Sequence, residues 1–262
     1  MSQRTETSTD STHAVSPSEE LLVVEDLTKH FGGLVAVDGL SFHVSEGEIL
    51  GFIGPNGAGK STTFNCITGV HRPDSGRVYY RGEDITNLDP HQVVDRGLAR
   101  TFQEFRPLED FPVIANVMLA LMSGKIASLS AVTFKTKRRA ATICQQVGLG
   151  DRLEDMPDEL PHAGLLRLEL GRALATDPDL MLIDEPFAGL SKTEVAEIAG
   201  TLLSLRDDGV TLVVIDHNMR GLLDLIDRAI VIDFGKKIAD GPPEEIKDDP
   251  KVREAYLGGT SV

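Results

Sequence analysis

The stretch Gly54-Pro55-Asn56-Gly57-Ala58-Gly59-Lys60-Ser61 decides the fold, because it matches the phosphate-loop pattern G-x-x-x-x-G-K-[ST]. Residues 48–53 before it predict a buried strand, and residues 60–68 after it predict a helix. Glycines there let successive backbone N–H groups converge on phosphate oxygens, and the helix N-terminus adds partial positive charge. Lys60 would reach the β- and γ-phosphates, and Ser61 would offer its hydroxyl to Mg²⁺. The predicted phosphate-binding residues are Asn56, Gly57, Ala58, Gly59, Lys60, Ser61 and Thr62.

A pair of carboxylates follows a second apolar run. Residues 180–183, Leu-Met-Leu-Ile, predict a strand buried on both faces, and Asp184 and Glu185 come directly after it. At the carboxyl end of such a strand, Asp184 would help to bind Mg²⁺ through water. Glu185 would polarise an attacking water. Asp-Glu after an apolar run is common at strand ends, so this motif carries weight only together with the phosphate loop.

The hydrophobic pattern predicts an α/β fold that is interrupted by a helical region. Residues 107–164 have helical spacing, so we expect a helical subdomain inserted into a nucleotide-binding α/β core of residues 21–106 and 165–240. Residues 1–20 predict a disordered tail, and residues 241–262 predict a helical C-terminal appendage. The predicted strands are 21–26, 34–44, 48–53, 78–80, 83–85, 180–183, 211–215, 229–233 and 236–239. The predicted helices are 60–68, 113–122, 131–147, 165–175 and 192–206.

Composition and charge exclude several classes of protein. No stretch approaches the ~18 consecutive apolar residues that span a bilayer, and the first 20 residues lack the apolar run of a secretory signal. The net charge of −15 argues against a broad basic face, so no nucleic-acid partner is expected. Cys66 and Cys144 are far apart, which fits a reducing cytosol and argues against a disulfide framework. Any action at a membrane would therefore need a partner.

The phosphate loop and the Asp-Glu pair resemble those of the ATPase subunits of ABC transporters. Thr101-Phe102-Gln103 resembles the glutamine loop of that family, and Asp216-His217 resembles its histidine switch. The resemblance implies that Gln103 lies near Mg²⁺, and that His217 hydrogen-bonds the γ-phosphate and holds the water together with Glu185. It also implies that Phe31 stacks on adenine and that Ala188-Gly189-Leu190-Ser191 contacts a second cassette.

The same resemblance implies the cofactors and the fold. ATP and Mg²⁺ are the implied cofactors. The implied fold is an ABC-type P-loop ATPase core, with a mixed, mostly parallel sheet, an antiparallel β subdomain and an inserted helical subdomain. The implied catalytic residues are Glu185, His217 and Gln103. The implied metal-binding residues are Ser61, Gln103 and Asp184.

One segment departs from the family pattern. Leu160-Pro161-His162-Ala163-Gly164 stands where the family has L-S-G-G-Q, which binds the γ-phosphate held by the opposite subunit. Pro161 removes a hydroxyl and a backbone donor, and His162 and Ala163 replace glycines that permit close backbone approach. In one interpretation, which we favour, the segment still presents the N-terminus of the following helix to phosphate. In the other, this subunit forms a weakened half-site, and hydrolysis depends mainly on the partner cassette's loop.

Within the family, the chain most resembles the importer ATPases for branched-chain amino acids, in residues 31–37, 97–103 and 253–258. That resemblance implies a five-part system: two different ATPase cassettes at the cytoplasmic face of the membrane, two different transmembrane permease subunits and an extracytoplasmic binding protein. A homodimer of this cassette is the alternative to the favoured heterodimer. The permease is expected in a groove beside Gln103 that is lined by Phe105, Pro107 and Phe111. A urea or amide importer, an exporter or lipid-extraction ATPase, a soluble ABC ATPase, and a phosphate-loop kinase or GTPase are the alternatives.

Overall fold

The structure, a computed structural model, describes residues 20–101, 105–122, 134–216 and 219–257. Its strands are β1 (Glu20–Phe31), β2 (Leu34–Ser45), β3 (Ile49–Ile53), β4 (Ser75–Tyr80), β5 (Glu83–Asp84), β6 (Leu98–Arg100), β7 (Leu180–Asp184), β8 (Thr211–Ile215), β9 (Arg228–Asp233) and β10 (Lys236–Gly241). Its helices are α1 (Lys60–Ile67), α2 (Pro90–Val94), α3 (Val113–Met122), α4 (Phe134–Gln146), α5 (His162–Leu174), α6 (Lys192–Asp207), α7 (Met219–Leu223), α8 (Pro243–Asp248) and α9 (Pro250–Leu257).

The larger sheet has six strands in the order β10-β9-β3-β8-β7-β6, and all neighbours are parallel except β10 and β9. Strands β3, β7 and β8 are buried at every residue, as expected of apolar runs that are covered on both faces. Alternate side chains point to opposite faces of the sheet. Ile49 and Ile53 therefore pack into one hydrophobic core, and Leu50 and Phe52 into a second one.

The smaller sheet is antiparallel, in the order β2-β1-β4-β5, and it packs with α1 on the core that contains Leu50 and Phe52. Strand β1 runs to Phe31, beyond the predicted end at residue 26. Its pairing with β2 is irregular between Val24 and Leu27, where Asp26 has a φ of 47°. This irregularity breaks the alternation that identifies a strand in the sequence. The two sheets confirm the predicted fold class of a mostly parallel main sheet with an antiparallel β unit.

Helices α3, α4 and α5 follow β6 and precede β7 in the chain. They pack on the core that contains Ile49 and Ile53. Helix α5 begins at His162 rather than at the predicted residue 165, because Pro161 stands at the N-cap with a φ of −66° that suits a helix start. Helix α4 is described from Phe134, and residues 131–133 of the predicted helix lie outside the described residues. Among the helices of the described ranges, none is both long and apolar enough to cross a bilayer.

Three of these strands and helices were not predicted, and all are short: β6, α2 and α7, of which α7 has five residues. Strand β6 has three residues and pairs in parallel with β7, with Arg100 opposite Leu182. Helix α2 has five residues and begins at a capping box in which the Gln92 side chain accepts the backbone N–H of Asp89 at 2.9 Å. None of the three is long enough to produce a periodic pattern in the sequence.

The parallel sheet brings the predicted motifs to one edge. Strands β3, β7 and β8 are neighbours or near neighbours, so their carboxyl ends meet at the same side of the sheet. The phosphate loop follows β3, the Asp-Glu pair ends β7, and Asp216 follows β8. The register places Asp184 opposite Ile215. The site is therefore built at the carboxyl edge of the larger sheet.

Candidate functional site

Two glycines of the phosphate loop lie in close contact with neighbouring backbone. A Cβ at Gly54 would lie 2.3 Å from the Ile232 carbonyl oxygen, and one at Gly59 would lie 2.3 Å from the Ala36 carbonyl oxygen. Gly59 is also the N-cap of α1, with a φ of 105° that residues with a side chain rarely adopt. Packing and backbone conformation therefore both require glycine where the sequence pattern has it.

Residues from the C-terminal third of the chain hold the loop in place. In the turn between β9 and β10, the Gly235 N–H donates to the Ala58 carbonyl at 2.9 Å, and the Gly235 carbonyl accepts the Asp38 N–H at 3.0 Å. In α9, burial raises the pKa of the Tyr256 hydroxyl to about 12, and the neighbouring Gly54 backbone N–H opposes this rise. The loop is thus packed between the smaller sheet, the β9–β10 turn and the last helix.

Lys60 is the first residue of α1, and only 7% of it is exposed. Its Nζ donates to the carbonyl oxygens of Gly54 at 2.6 Å and Pro55 at 2.9 Å. Burial lowers the pKa of Lys60, and nearby carboxylates oppose this effect. These carboxylates belong to Glu185, Asp184 and Asp216. The acidic residues after β7 and β8 therefore lie on the same side of the molecule as the phosphate loop.

The other predicted phosphate-binding residues divide by exposure. Asn56, Gly57 and Ser61 are exposed, Thr62 is half-buried, and Ala58 and Gly59 are buried. Thr63, for which the sequence predicted no role, is buried and donates its Oγ1 hydroxyl to the Gly59 carbonyl at 3.0 Å. The residues that would touch a ligand are thus at the surface of the loop, on a buried and hydrogen-bonded base.

Asp184 and Glu185 end β7 with different backbone conformations. Asp184 is the last strand residue and is 7% exposed, and its N–H donates to Thr101 Oγ1 at 3.3 Å. Glu185 has a φ of 51°, and its N–H donates to the Ile215 carbonyl at 2.8 Å. A positive φ is uncommon outside glycine and is concentrated at functional sites. The backbone therefore turns sharply between the two carboxylates, which is compatible with a separate role for each.

Arg100 pairs with Asp184, a contact for which the sequence predicted no role. Its Nη2 donates to Asp184 Oδ2 at 3.1 Å, and its Nη1 donates to Asn65 Oδ1 of α1 at 2.6 Å. The two side chains of the ion pair are only 8% and 6% exposed. Burial lowers the pKa of Arg100, and the Asp184 carboxylate opposes this effect. A single charged residue at the end of a short apolar segment is the signal that could have identified it.

Asp216 joins the end of β8 to the loop that follows β7. It is fully buried, and its Oδ2 accepts the Phe187 N–H at 2.8 Å. His217 is the next residue, and it lies outside the described residues, as does Gln103. The roles of His217 and Gln103 therefore remain predictions.

Phe31 lies at the end of β1 and is 44% exposed. Its ring packs edge-on against His71, with 5.3 Å between the ring centroids, and Lys29 Nζ lies 5.6 Å from the Phe31 centroid. An exposed ring with this support can stack on a flat ligand. Its contact with adenine remains a prediction.

The divergent segment at residues 160–164 forms the start of α5. Leu160 is extended, Pro161 is the N-cap, and the remaining residues form the first helical turn. His162 Nε2 lies 3.2 Å from the Ala188 carbonyl oxygen, in the loop that is predicted to contact a second cassette. The structure therefore links these two segments within one subunit.

A cavity of about 470 Å³ lies between α3, α5 and the end of β6. Its charged lining includes Glu169 and Arg172, whose Nη1 donates to Glu169 Oε1 at 2.6 Å and to the Arg106 carbonyl at 2.7 Å. Of residues 105–111, Arg106 and Leu108 line this cavity. The groove predicted beside Gln103 and lined by Phe105, Pro107 and Phe111 remains a prediction, because Gln103 lies outside the described residues.

The residues at the carboxyl edge fit a nucleoside triphosphate with Mg²⁺. A glycine cradle, a buried ammonium group and a helix N-terminus together form a phosphate site. Across the described ranges, no cluster of three or more His, Cys, Asp or Glu side chains could hold a metal ion. One hydroxyl, Ser61, and one carboxylate, Asp184, suit Mg²⁺, which usually takes its remaining ligands from phosphate and water.

Comparisons with known proteins agree with this geometry. A family model described as ABC transporter matches residues 37–188, and a model described as branched-chain amino acid ATP-binding cassette transporter matches residues 236–261. The high-affinity branched-chain amino acid transport ATP-binding protein BraF of Pseudomonas aeruginosa is 36% identical, over 92% of this chain and 99% of BraF. The lipopolysaccharide export system ATP-binding protein LptB of Haemophilus influenzae is 34% identical, over 91% of this chain and 97% of LptB.

A solved structure gives the same fold. The ADP conformation of an ATP-binding cassette of an ABC transporter superposes with a TM-score of 0.83 at 33% identity, over 91% of this chain and 99% of that one. The matched family model includes the phosphate loop and the Asp-Glu pair. The chain therefore belongs to the ABC transporter family, as an ATP-binding subunit that hydrolyses ATP to drive transport.

Proposed function

We propose that this subunit powers the import of branched-chain or related amino acids. The observation that carries the proposal is the match of residues 236–261 to the branched-chain amino acid model, on the same chain as the general ABC model. BraF, a branched-chain amino acid transport ATP-binding protein that is 36% identical to this chain, supports the same substrate class. The ATPase subunit of such a system supplies the energy for transport, so the permease and binding-protein partners select the cargo.

Each residue of the site has a proposed part in ATP hydrolysis. The loop N–H groups and Lys60 hold the phosphates, and Ser61 and Asp184 hold Mg²⁺, with Gln103 beside it. When bound, Mg²⁺ neutralises charge on the β- and γ-phosphates. Glu185 polarises the attacking water, and His217 orients that water and the γ-phosphate. Asn56, Gly57, Ala58, Gly59 and Thr62 complete the phosphate cradle, and Phe31 stacks on adenine.

We propose that transmembrane permease subunits dock at the cavity between α3, α5 and the end of β6. In this view residues 107–164 are a helical subdomain that moves against the core of residues 21–106 and 165–240. The cavity is close to the site, because Arg100, which contacts Asp184, is also part of its lining. This arrangement would place the subunit at the cytoplasmic face of the membrane, with an extracytoplasmic binding protein delivering cargo on the other side.

We also propose that the subunit pairs with a second, different cassette. The first turn of α5 would present its backbone N–H groups to the nucleotide held by that partner, in place of the family's L-S-G-G-Q segment. The contact of His162 with the Ala188 carbonyl supports this proposal, since it joins the helix start to the other predicted interface loop. Equal hydrolysis by this chain alone and by the mixed pair would contradict the preference for a different partner.

The test of the substrate is a reconstituted complex with the permeases and binding proteins encoded near this chain. Leucine-loaded binding protein should stimulate ATP hydrolysis, whereas urea or a short amide should not. The likeness to LptB favours lipid export as the second candidate. Stimulation by a lipid substrate, without any response to an amino-acid binding protein, would replace the import proposal with that one.

A further inference from the structure

We propose that Arg100 is the resident counter-ion of Asp184: this buried ion pair keeps the Asp184 carboxylate oriented, and free Mg²⁺ is not held, until nucleotide is present. The inference rests on the proposed role of Asp184 as a Mg²⁺ ligand. It assigns Arg100 as a positioning residue, since Arg100 acts through Asp184. It also adds a cation to a site whose positive charge had been assigned to Lys60 and Mg²⁺ alone.

The first observation is burial. The Asp184 and Arg100 side chains are 6% and 8% exposed, so water screens neither charge well. Removing one partner of a buried ion pair leaves an uncompensated charge and is strongly destabilising. The buried Asp184 carboxylate therefore needs a partner cation when the site holds no Mg²⁺, and Arg100 is 3.1 Å away.

The second observation is that at least three contacts hold the Arg100 side chain in place. One guanidinium nitrogen donates to Asp184 and another to Asn65, and the guanidinium carbon lies 5.5 Å from the Phe64 ring centroid. Asn65 and Phe64 belong to α1, the helix that begins at the phosphate loop. Arg100 therefore connects the phosphate-binding helix to the carboxylate at the end of β7. Its planar fork donates from two separate nitrogens in a fixed geometry, whereas a lysine would donate from one nitrogen on a flexible stem.

The third observation is the charge that surrounds the pair. Three carboxylates, those of Glu185, Asp184 and Asp216, lie near enough to Lys60 to oppose the lowering of its pKa by burial. With Arg100 in place, part of this negative charge is compensated before any ligand arrives. Binding of free Mg²⁺ at Asp184 is then only weakly favourable, whereas Mg²⁺ that is already bound to the phosphates of a nucleotide brings most of its ligands with it. Without Arg100, Asp184 should attract Mg²⁺ by itself.

The experiment measures thermal unfolding of the full chain without nucleotide, in 0 and 10 mM MgCl₂ at matched ionic strength. The proteins are wild type, Arg100→Met, Arg100→Lys, Asp184→Asn, the double variant Arg100→Met/Asp184→Asn, and the control Arg96→Met. Arg96 is a suitable control because its ion pair with Glu83 is at the surface, with side chains 32% and 56% exposed.

The wild-type Tm should not respond to Mg²⁺. Arg100→Met should lower the Tm by about 5 to 10 °C, and Mg²⁺ should restore about 3 °C or more of that loss. Arg100→Lys should show no response to Mg²⁺, because it retains the charge. The double variant should have a higher Tm than Arg100→Met, and its Tm should not change with Mg²⁺, because both charges have been removed. Arg96→Met should behave as wild type.

An Arg100→Met protein whose Tm does not respond to Mg²⁺, or a wild type that gains as much from Mg²⁺, would overturn the inference. If Arg100→Met does not fold, the double variant Arg100→Met/Asp184→Asn tests the inference, because it should fold once both charges are removed. A double variant that also fails to fold would count against the inference. A separate titration distinguishes failure of the underlying function. If Asp184→Asn binds a fluorescent ATP analogue with the same Mg²⁺ dependence as wild type, the proposed Mg²⁺ role of Asp184 is itself wrong.

Discussion

Replacing Lys60 with methionine should weaken nucleotide binding by a predictable amount. Methionine retains most of the aliphatic stem but removes the ammonium group, which lies 2.6 Å and 2.9 Å from two loop carbonyl oxygens. Lys60 is 7% exposed, so solvent screens its contact with a phosphate only weakly. A hydrogen bond to a charged group contributes about 1.5 to 3 kcal/mol. At about 1.4 kcal/mol for each tenfold change, the Kd should rise by roughly 10- to 150-fold.

The assay is an equilibrium titration of a fluorescent ATP analogue in the presence of Mg²⁺. Lys247→Met is the matched control. Lys247 is exposed in α8, which is far from the phosphate loop in sequence, and its ammonium group pairs with Glu244 of the same helix. That control should leave the Kd unchanged. If Lys60→Met binds the analogue as tightly as Lys247→Met does, the ammonium group does not hold the phosphates and the reasoning fails.

Three further predictions concern the framework of the site. Gly59→Ala should lower the free energy of unfolding in urea by about 3 kcal/mol or more, because the new Cβ would lie 2.3 Å from the Ala36 carbonyl oxygen. Gly57 has a φ of 81°, but a Cβ there would meet no neighbouring atom, so Gly57→Ala should lower the free energy of unfolding by only about 1 to 2 kcal/mol. An equal cost at both glycines would refute the steric argument. The pKa of Tyr256, raised by burial to about 12, lies above its unfolded value, so its contribution to stability is present below pH 10 and lost towards pH 12. Tyr256→Phe should therefore lose stability less steeply than wild type between pH 10 and pH 12 in chemical denaturation, and parallel curves would contradict this. Ser61→Ala should raise the Mg²⁺ concentration needed for half-maximal ATP hydrolysis, whereas an unchanged requirement would remove Ser61 from the metal site.

The sequence predicted the parts of the fold that depend on local pattern. The runs that became β3, β7 and β8 are apolar at nearly every position, because both faces of a central parallel sheet are buried. Strand β6 could not be predicted, since three residues have no period and it forms only by pairing with β7. Helix α5 begins before the predicted residue 165, because the φ that Pro161 fixes suits an N-cap and this effect leaves no mark in the apolar spacing.

The candidate site was predictable where one short segment carries the chemistry. The phosphate loop and the Asp-Glu pair are each continuous in sequence, and the structure brings them together through Lys60 and its neighbouring carboxylates. The contact of Arg100 with Asp184 joins residues 84 positions apart and depends on the parallel pairing of β6 with β7. Gly235 supports the loop at Ala58 across an even longer separation in sequence. Such long-range contacts leave no local pattern.

The most direct test of the account is to measure nucleotide binding and ATP turnover in the same preparation of Glu185→Gln. Glutamine keeps the size of the side chain but cannot accept a proton from the attacking water. Binding of the ATP analogue should remain within about threefold of wild type, while turnover should fall by about 100-fold or more. Turnover at the wild-type rate, or loss of binding together with turnover, would contradict the claim that the nucleotide lies between the phosphate loop and Glu185.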